Sequence, residues 1–235
     1  MDLKKPSIEL TNITHRYPLF NYHEQSLKKN FLEIFTKKSN LAFYEAFSNL
    51  NINLTEGDRL GILGPNGSGK TTLLKIISGV IYPTSGVIRV NGRLQSMLGL
   101  SSGFNPELTG LENIKQKLII QQVDAKQHNS LTSKIVAFAD LKSFINQPIK
   151  IYSSGMLMRL SFASSLMINP DILIMDEWIS TGDSQFKIKM QEALNEKINQ
   201  SKILVIASHQ EQLIKKLCNK TINLVGGSGA QTIYQ

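Results

Sequence analysis

The feature that most constrains this 235-residue chain is one glycine-rich stretch. It reads Gly64-Pro65-Asn66-Gly67-Ser68-Gly69-Lys70-Thr71-Thr72 and fits the pattern G-x-x-x-x-G-K-[ST]. The apolar run at 59–63 before it predicts a buried strand, and residues 72–77 after it predict a helix. A strand, a glycine loop and a helix in this order predict a phosphate-binding loop in an α/β fold.

Each residue type in this loop suits a bound nucleotide. The glycines let successive N–H groups point inward as an anion nest, and the helix adds its positive N-terminal end. The Lys70 ammonium would contact the β and γ phosphates, and the Thr71 hydroxyl would hold Mg²⁺. The sequence therefore predicts that residues 64–72 bind ATP with Mg²⁺.

Composition limits the class of protein. Apolar residues make up 41% of the chain, which is enough for a full core. A single cysteine, Cys218, excludes an intrachain disulfide and fits a reducing compartment. No stretch approaches the roughly 20 apolar residues that span a bilayer, and residues 1–6 lack the apolar centre of a signal peptide. We expect a chain that is soluble by itself.

The formal net charge of +8 favours nucleic acid, an anionic membrane surface or an acidic ligand such as a nucleotide. No dense basic run or zinc-ligand spacing accompanies this charge. A solvated surface and a membrane-facing patch are both compatible with it. Small lysine clusters occur at Lys28-Lys29, Lys37-Lys38 and Lys215-Lys216.

The spacing of apolar residues predicts the order of the elements. Mostly helical spacing between 108 and 168 indicates a helical insert. The dipeptide Asn91-Gly92 predicts a hairpin whose returning strand is 94–100. Residues 226–229 predict a turn into a short terminal strand. Further strands are predicted at 8–17, 50–54, 87–90, 171–175, 202–207 and 221–225, and helices at 24–38, 184–199 and 210–217.

A second group of candidate residues follows two of the predicted strands. Asp176 would orient the water shell of Mg²⁺, and Glu177 would polarise a water beside the γ-phosphate. His209 directly follows the next buried strand and would hydrogen-bond the γ-phosphate. We therefore predict Lys70, Glu177 and His209 as catalytic residues. The predicted metal ligands are Thr71 and Asp176.

The turn Ser153-Ser154-Gly155 opens a predicted helix about twenty residues before Asp176. Donors at a helix N-terminus suit a phosphate. The order of phosphate loop, helical insert, this turn, Asp-Glu strand and histidine resembles the ATP-binding subunits of ABC transporters over nearly the whole chain. The resemblance implies that Ser153, Ser154 and Gly155 of one subunit cap the ATP held by a second subunit.

The turn differs from the commonest family form, Leu-Ser-Gly-Gly-Gln, because Ser154 replaces a glycine and Met156 the glutamine. This variant resembles subunits that export bacterial surface polysaccharides, namely O-antigen, capsule and teichoic acid. The resemblance also implies that Thr181-Gly182-Asp183 faces the partner subunit. Two further stretches resemble the same subgroup: Gly103-Phe104-Asn105-Pro106-Glu107-Leu108-Thr109-Gly110 with Glu112-Asn113-Ile114, and Asp176-Glu177-Trp178-Ile179-Ser180-Thr181-Gly182-Asp183.

Two family features are absent or ambiguous at their expected places. The family has a glutamine that senses Mg²⁺ and couples to the membrane subunit. Here Leu100 stands near that place, and Gln95 comes too early unless the loop differs in length. The aromatic residue that stacks on adenine is best assigned to Tyr17. Tyr44 and Phe43 are alternatives, and an aromatic residue there is equally compatible with a core position.

The expected fold is α/β, with a P-loop NTPase core on a mainly parallel sheet, an antiparallel β subdomain and a helical insert subdomain at about 106–169. We expect a single nucleotide-binding domain over residues 1–235, with an amphipathic insert at about 20–43. The helix at 24–38 would face the membrane or pack on the sheet of its own subunit. The chain ends soon after Tyr234, so we expect it to lack the C-terminal β domain of some relatives.

The resemblance implies an ATPase that dimerises head to tail on ATP. It would work with an integral-membrane permease to export a lipid-linked polysaccharide from the cytoplasmic face of a bacterial inner membrane, as a peripheral subunit. The main alternative is a non-transport ABC ATPase acting on DNA or ribosomes. The sequence shows no tandem cassette or long coiled-coil insert, so we expect no nucleic-acid partner. Another cargo is a second alternative, and a purely structural role is the least favoured.

Overall fold

The computed structural model describes residues 5–19, 42–177, 184–226 and 230–231. The helix predicted at 24–38 lies outside the described residues, as does the loop Thr181-Gly182-Asp183. The chain divides into two compact units, residues 1–91 with 206–235 and residues 92–205.

The first unit contains a three-stranded antiparallel sheet. Its strands are β1 (Ser7–Leu19), β2 (Ala42–Thr55) and β4 (Ser85–Asn91), in the order β2-β1-β4. Ile8 and Leu10 of β1 are buried, whereas the residue between them is exposed. This alternation is what a sheet covered on one face requires. The predicted antiparallel subdomain is therefore confirmed.

The first unit also contains a group of strands that frames the glycine loop. Strand β3 (Arg59–Leu63) pairs in parallel with β8 (Lys220–Leu224), and β8 pairs antiparallel with β9 (Ala230–Gln231). Helix α1 (Lys70–Ile77) follows β3, and helix α6 (Glu211–Leu217) precedes β8. Most apolar side chains of β3 and α1 are buried, so the loop between them is anchored at both ends.

The second unit holds three neighbouring strands. They are β5 (Leu94–Ser96), β6 (Ile172–Asp176) and β7 (Ile203–Ala207), in that order, and the last two residues of β7 belong to the first unit. β5 and β6 are parallel. All of β7, and β6 up to Met175, are buried, as in strands covered on both faces.

Helices fill the interval in which the sequence predicts them, so the α/β class with a parallel sheet, an antiparallel sheet and helices is confirmed. No helix among the described residues is long and apolar enough to cross a bilayer. The helices of the second unit are α2 (Gly110–Ile120), α3 (Ala125–Ala139), α4 (Ser154–Leu166) and α5 (Ser184–Gln200), with two short 3₁₀ helices at Lys142–Asn146 and Ile149–Ile151.

The hairpin predicted at Asn91-Gly92 is wrong. Strand β4 pairs with β1, whereas β5 pairs in parallel with β6, so the chain does not return along β4. The strand predicted at 94–100 also ends early, at Ser96. Gly92 does adopt a φ of +112°, as a turn glycine can. The dipeptide fixes the local backbone, but the strand partner depends on distant residues.

One buried side chain joins the loop before α2 to that helix. Asn113 has 1% of its surface exposed. Its Nδ2 lies 3.1, 3.1 and 2.9 Å from the carbonyl oxygens of Asn105, Leu108 and Thr109. Its Oδ1 accepts a hydrogen bond from the Asn105 N–H at 2.7 Å. The amide therefore satisfies backbone groups of a loop that has no regular structure of its own.

A capping box closes the start of the same helix. The Thr109 hydroxyl oxygen accepts from the Glu112 N–H at 3.2 Å, and the Glu112 carboxylate accepts from the Thr109 N–H at 2.8 Å. This backbone hydrogen bond lowers the pKa of Glu112. Ile114 is fully buried. Within this stretch, Glu112 caps the helix, Asn113 bonds to the preceding loop and Ile114 packs in the core.

Replacing Asn113 with alanine should lower the free energy of unfolding by about 1–3 kcal/mol, because the Asn105 N–H loses its acceptor and each of the three loop carbonyls loses one of two donors. Urea unfolding measures this change. Gln116→Ala, at an exposed position on the same helix, should change it by no more than about 0.5 kcal/mol. If Asn113→Ala lowers the free energy of unfolding by less than about 1 kcal/mol, the hydrogen bonds of Asn113 do not stabilise this loop and water replaces the amide.

Candidate functional site

The predicted phosphate loop lies between β3 and α1 in the first unit. Gly64 has a φ of +149°, and a Cβ there would overlap the Leu224 carbonyl and the Ser68 hydroxyl. Glycine is therefore required here by the close approach of other atoms as well as by the backbone angle. The Ser68 N–H donates to the Pro65 carbonyl at 3.2 Å and tightens the curl.

Lys70, the first residue of α1, supplies the positive charge of the loop. Its side chain is buried, and its ammonium donates to the carbonyls of Gly64 at 2.6 Å and Pro65 at 2.9 Å. Gly69 precedes the helix with a φ of +98°, and no side chain among the described residues caps the first turn. Uncapped N–H groups and a neighbouring ammonium form positive surroundings that suit an anion.

Hydroxyl groups complete the donor set of the loop. Ser68 Oγ is buried and has no hydrogen-bond partner within the described ranges. Such a group costs about 1–3 kcal/mol unless something bonds to it, so it fits a ligand oxygen. Thr71 is exposed in the first turn of α1. An ammonium, hydroxyls and backbone N–H groups together match the chemistry of a nucleotide polyphosphate.

Two tyrosines lie against the loop. Tyr17 of β1 and Tyr44 of β2 are directly paired across the sheet. The Tyr17 hydroxyl lies 3.0 Å from the Thr72 hydroxyl, and the Tyr44 hydroxyl donates to the Gly67 carbonyl at 2.8 Å. Phe43 faces the opposite side of β2, because neighbouring residues of a strand alternate. The structure thus brings both tyrosines to the loop, and the preference for Tyr17 as the adenine platform stays a prediction.

His209 follows a strand that ends beside β3. The N–H of Ser208 donates to the Ile62 carbonyl at 3.1 Å, two residues before the loop begins. His209 comes next and is exposed. The first unit therefore places the end of β7 next to the strand that leads into the loop. The contact of His209 with a γ-phosphate stays a prediction.

The two predicted carboxylates belong to the second unit. Asp176 is the last residue of β6, and Glu177 follows it with a φ of +62°, a region that non-glycine residues seldom adopt and that is enriched at functional sites. Their approach to the phosphate loop stays a prediction. The described part of the chain has no group of three or more His, Cys, Asp or Glu residues that could hold a metal. Mg²⁺ often needs only one or two protein ligands.

The turn predicted to cap ATP forms the start of α4. Ser153 is the N-cap, and its hydroxyl oxygen accepts from the Met156 N–H at 3.2 Å. Ser153, Ser154 and Gly155 are all exposed. A Cβ on Gly155 would meet only Ser153 Oγ, at 3.9 Å. Nothing in the described ranges thus requires glycine at this position, and the helix start is open to another molecule.

Two polar residues of the second unit, the buried Gln95 and the half-buried Lys117, bond to Ser165 of α4. Gln95 lies within β5, and its Nε2 donates to the Ser165 carbonyl. The Lys117 ammonium donates to the Leu100 carbonyl at 3.2 Å and to the Ser165 hydroxyl at 2.9 Å. Burial lowers the pKa of Lys117 to about 8. Sequence reasoning missed Lys117, because nothing in the sequence indicates that this helical lysine is half-buried and bonded to Leu100 and Ser165.

Comparison with known proteins adds the family. Residues 47–180 match the family described as ABC transporter. The O-antigen export system ATP-binding protein RfbE of Yersinia enterocolitica is 36% identical over 227 residues, which are 94% of this chain and 95% of that protein. The teichoic acids export ATP-binding protein TagH of Bacillus cereus (strain ZK / E33L) is 37% identical over 221 residues. TagH of Shouchella clausii (strain KSM-K16) is 39% identical over 222 residues.

The chain covers the three relatives to different extents. The alignments cover 94% of this chain but 39% and 61% of the two TagH proteins. A solved structure, a dimeric post-hydrolysis state of the ATP-binding cassette MJ0796 bound to ADP and Pi, has a TM-score of 0.70 and 22% identity. It covers 97% of this chain and 98% of its own, which shows the fold. Since the family pattern covers more than half of the residues, and RfbE is matched along nearly its whole length, this chain belongs to the ABC transporter family.

Proposed function

We propose that this chain is the ATP-hydrolysing subunit of an ABC exporter for a lipid-linked surface polysaccharide such as O-antigen, capsule or teichoic acid. The observation that carries this proposal is the 36% identity to an O-antigen export ATP-binding protein along 95% of that relative. The phosphate loop supports it, because the buried ammonium and the uncapped helix start suit a nucleotide. No comparison favours the nucleic-acid alternative.

The phosphate loop, the two tyrosines and two predicted metal ligands would bind and orient ATP. The loop residues 64–72 would surround the phosphates, with Lys70 against the β and γ groups. Tyr17, with Tyr44 beside it, would stack on the adenine. Thr71 and Asp176 would hold Mg²⁺, which supplies charge neutralisation on the phosphates.

Two side chains would act on the attacking water and on the γ-phosphate. The Glu177 carboxylate would accept a proton from it, and His209 would donate a hydrogen bond to the γ-phosphate. The φ of +62° at Glu177 supports a functional role, because such a backbone persists only where the surroundings hold it. Hydrolysis would leave ADP and phosphate.

The start of α4 would cap the ATP of a second copy in a head-to-tail dimer. The open space above Gly155 supports this arrangement, since the described residues give no internal reason for a glycine there. The Ser153 oxygen accepts from Met156, and its O–H hydrogen could donate to a phosphate oxygen at the same time. A permease in the bacterial inner membrane would bind this dimer on the cytoplasmic side of the membrane.

Lys70→Ala should abolish ATP hydrolysis by the purified chain, because it removes the cation assigned to the phosphates. Steady-state phosphate release measures the effect. Lys75→Ala is the matched control, since Lys75 is exposed in the last turn of the same helix. Lys75→Ala should keep its activity within about twofold, and near-normal turnover in Lys70→Ala would refute the assignment of the loop.

In the bacterium that makes this chain, the same Lys70→Ala substitution tests whether the exported cargo is a surface polysaccharide. Surface polysaccharide should disappear and its lipid-linked precursor should accumulate inside the cell, as immunoblots of surface and total glycan would show. Normal surface polysaccharide in cells whose chain has lost ATPase activity would assign the transporter to another cargo.

Glu177→Gln should bind ATP but hydrolyse it at least about a hundredfold more slowly, because the amide cannot accept the proton. The variant should therefore elute from a size-exclusion column as a dimer with ATP and as a monomer without it. Adding Gly155→Asp to this variant should abolish the dimer, since a carboxylate would oppose the phosphates of the second copy. A monomer in ATP for Glu177→Gln alone would contradict the dimer mechanism.

Tyr17→Ala should weaken ATP binding by about tenfold, because stacking on a base contributes roughly 1–3 kcal/mol. Binding of inorganic pyrophosphate, which has no base, should change less than twofold. Calorimetric titration of both ligands separates the two effects. If Tyr44→Ala selectively weakens ATP and Tyr17→Ala does not, the adenine platform is Tyr44.

A further inference from the structure

A cavity of about 770 Å³ lies within the second unit. Its walls come from α3, the end of α4 and the C-terminal half of α5, with Arg93 at its edge. It shares no residue with the phosphate loop, the tyrosines, the two carboxylates or the start of α4. The volume falls within the range of small-molecule sites.

The charged residues around this cavity are mostly basic. Lys126 and Lys134 lie two turns apart on one face of α3, and both are exposed. The acidic residue, Glu196, accepts a hydrogen bond from the Gln200 amide at 3.0 Å. The lining holds four basic side chains and this single carboxylate: Arg93, Lys126, Lys134, Lys197 and Glu196.

Lys197 is a buried ammonium in the wall of the cavity, with 5% of its surface exposed. It donates to the Ile168 carbonyl at 2.6 Å and to Asn169 Oδ1 at 2.7 Å. No carboxylate among the described residues forms an ion pair with it. Burial lowers its pKa to about 8, and Glu196 acts in the opposite direction. An anion in the cavity would compensate the cost of burying this charge.

Uncharged side chains form the rest of the lining, seven of them apolar and four polar. A simple inorganic ion would leave the apolar ones without contacts. A ligand with an apolar or ring-shaped body and an anionic head would use both the basic and the apolar parts. The apolar residues are Val123, Leu131, Phe138, Leu166, Met167, Ile168 and Ala193, and the polar ones are Gln127, Ser130, Asn169 and Gln200.

We propose that this cavity binds a small, soluble organic phosphate, with its phosphate near Lys126, Lys134 and Lys197 and its body against the apolar wall. This site is separate from the nucleotide site and does not depend on the transport role. Several lysines with freely directed donors suit the three oxygens of a phosphate.

Methyl NMR with ¹³C-labelled methionine tests the proposal, with phenyl phosphate as the probe. Met167 lines the cavity, so its methyl signal should shift with saturation on the order of millimolar, as expected for a small weak ligand. The five other methionines that the structure describes do not line the cavity and serve as internal references: Met97, Met156, Met158, Met175 and Met190. A shift at Met167 therefore reports this site and not the phosphate loop.

Two double variants distinguish binding in the cavity from a general effect of the protein's positive charge. The double variant Lys126→Ala/Lys134→Ala should weaken phenyl phosphate binding at least fivefold. Its control, Lys115→Ala/Lys187→Ala, removes the same charge from positions outside the cavity and should leave binding unchanged. Equal losses in both variants would overturn the proposal, as would the absence of any Met167 shift.

The pH dependence gives a second readout. The second pKa of a phosphate monoester is near 6, so the probe loses a charge below about pH 6. Lys197 has a lowered pKa of about 8 and loses its proton above it. Affinity should therefore be highest between these values and fall on both sides. The other charged groups facing the cavity are Arg93, Lys126, Lys134 and Glu196.

In Lys197→Gln, the affinity for phenyl phosphate should no longer decline above about pH 8 but should still decline below about pH 6. If this variant does not fold, the exposed double variant still decides the question. Inorganic phosphate should bind at least fivefold more weakly than phenyl phosphate, and equal binding would overturn the role of the apolar wall. Binding to vesicles of phosphatidic acid without a Met167 shift by phenyl phosphate would instead assign the lysines to a lipid surface and refute the proposed site.

Discussion

The close approach of backbone at Gly64 determines how the phosphate loop is built. The Leu224 carbonyl and the Ser68 hydroxyl occupy the space that any side chain at Gly64 would need. The Lys70 ammonium then holds the loop carbonyls from one side. Tyr44 holds the Gly67 carbonyl from another. Backbone N–H groups bind a phosphate well only when they are fixed beforehand, so the proposed contacts of residues 64–72 to the phosphates depend on this packed turn.

The sequence predicted what short-range rules decide. The loop and its two flanking elements lie within residues 59–77, so its glycines, its lysine and these elements could all be assigned. The strand after Asn91-Gly92 pairs with Ile172–Asp176, far along the chain. The hairpin rule considers only neighbouring residues, so it could not predict this pairing. The location of Tyr44 beside Tyr17 likewise depends on the register between β1 and β2.

The stretch around Glu112-Asn113-Ile114 shows a different limit. As a sequence it carried only a resemblance to polysaccharide exporters. The structure supplies the physical reason: Glu112 caps a helix, Asn113 bonds to the backbone of the preceding loop and Ile114 fills the core. No periodicity or propensity rule could show this, because the same asparagine on an exposed face would carry none of these bonds.

Asn113 and Lys117 lie one turn apart on α2, and together they give this part of the second unit mechanical stiffness. Asn113 bonds to the loop at 105–109, whereas Lys117 bonds to the Leu100 carbonyl and to Ser165 of α4. Direct hydrogen bonds therefore connect that loop to α2, and α2 to α4. The helix whose first turn is open to another molecule is thus joined, through two side chains of α2, to a segment without regular structure.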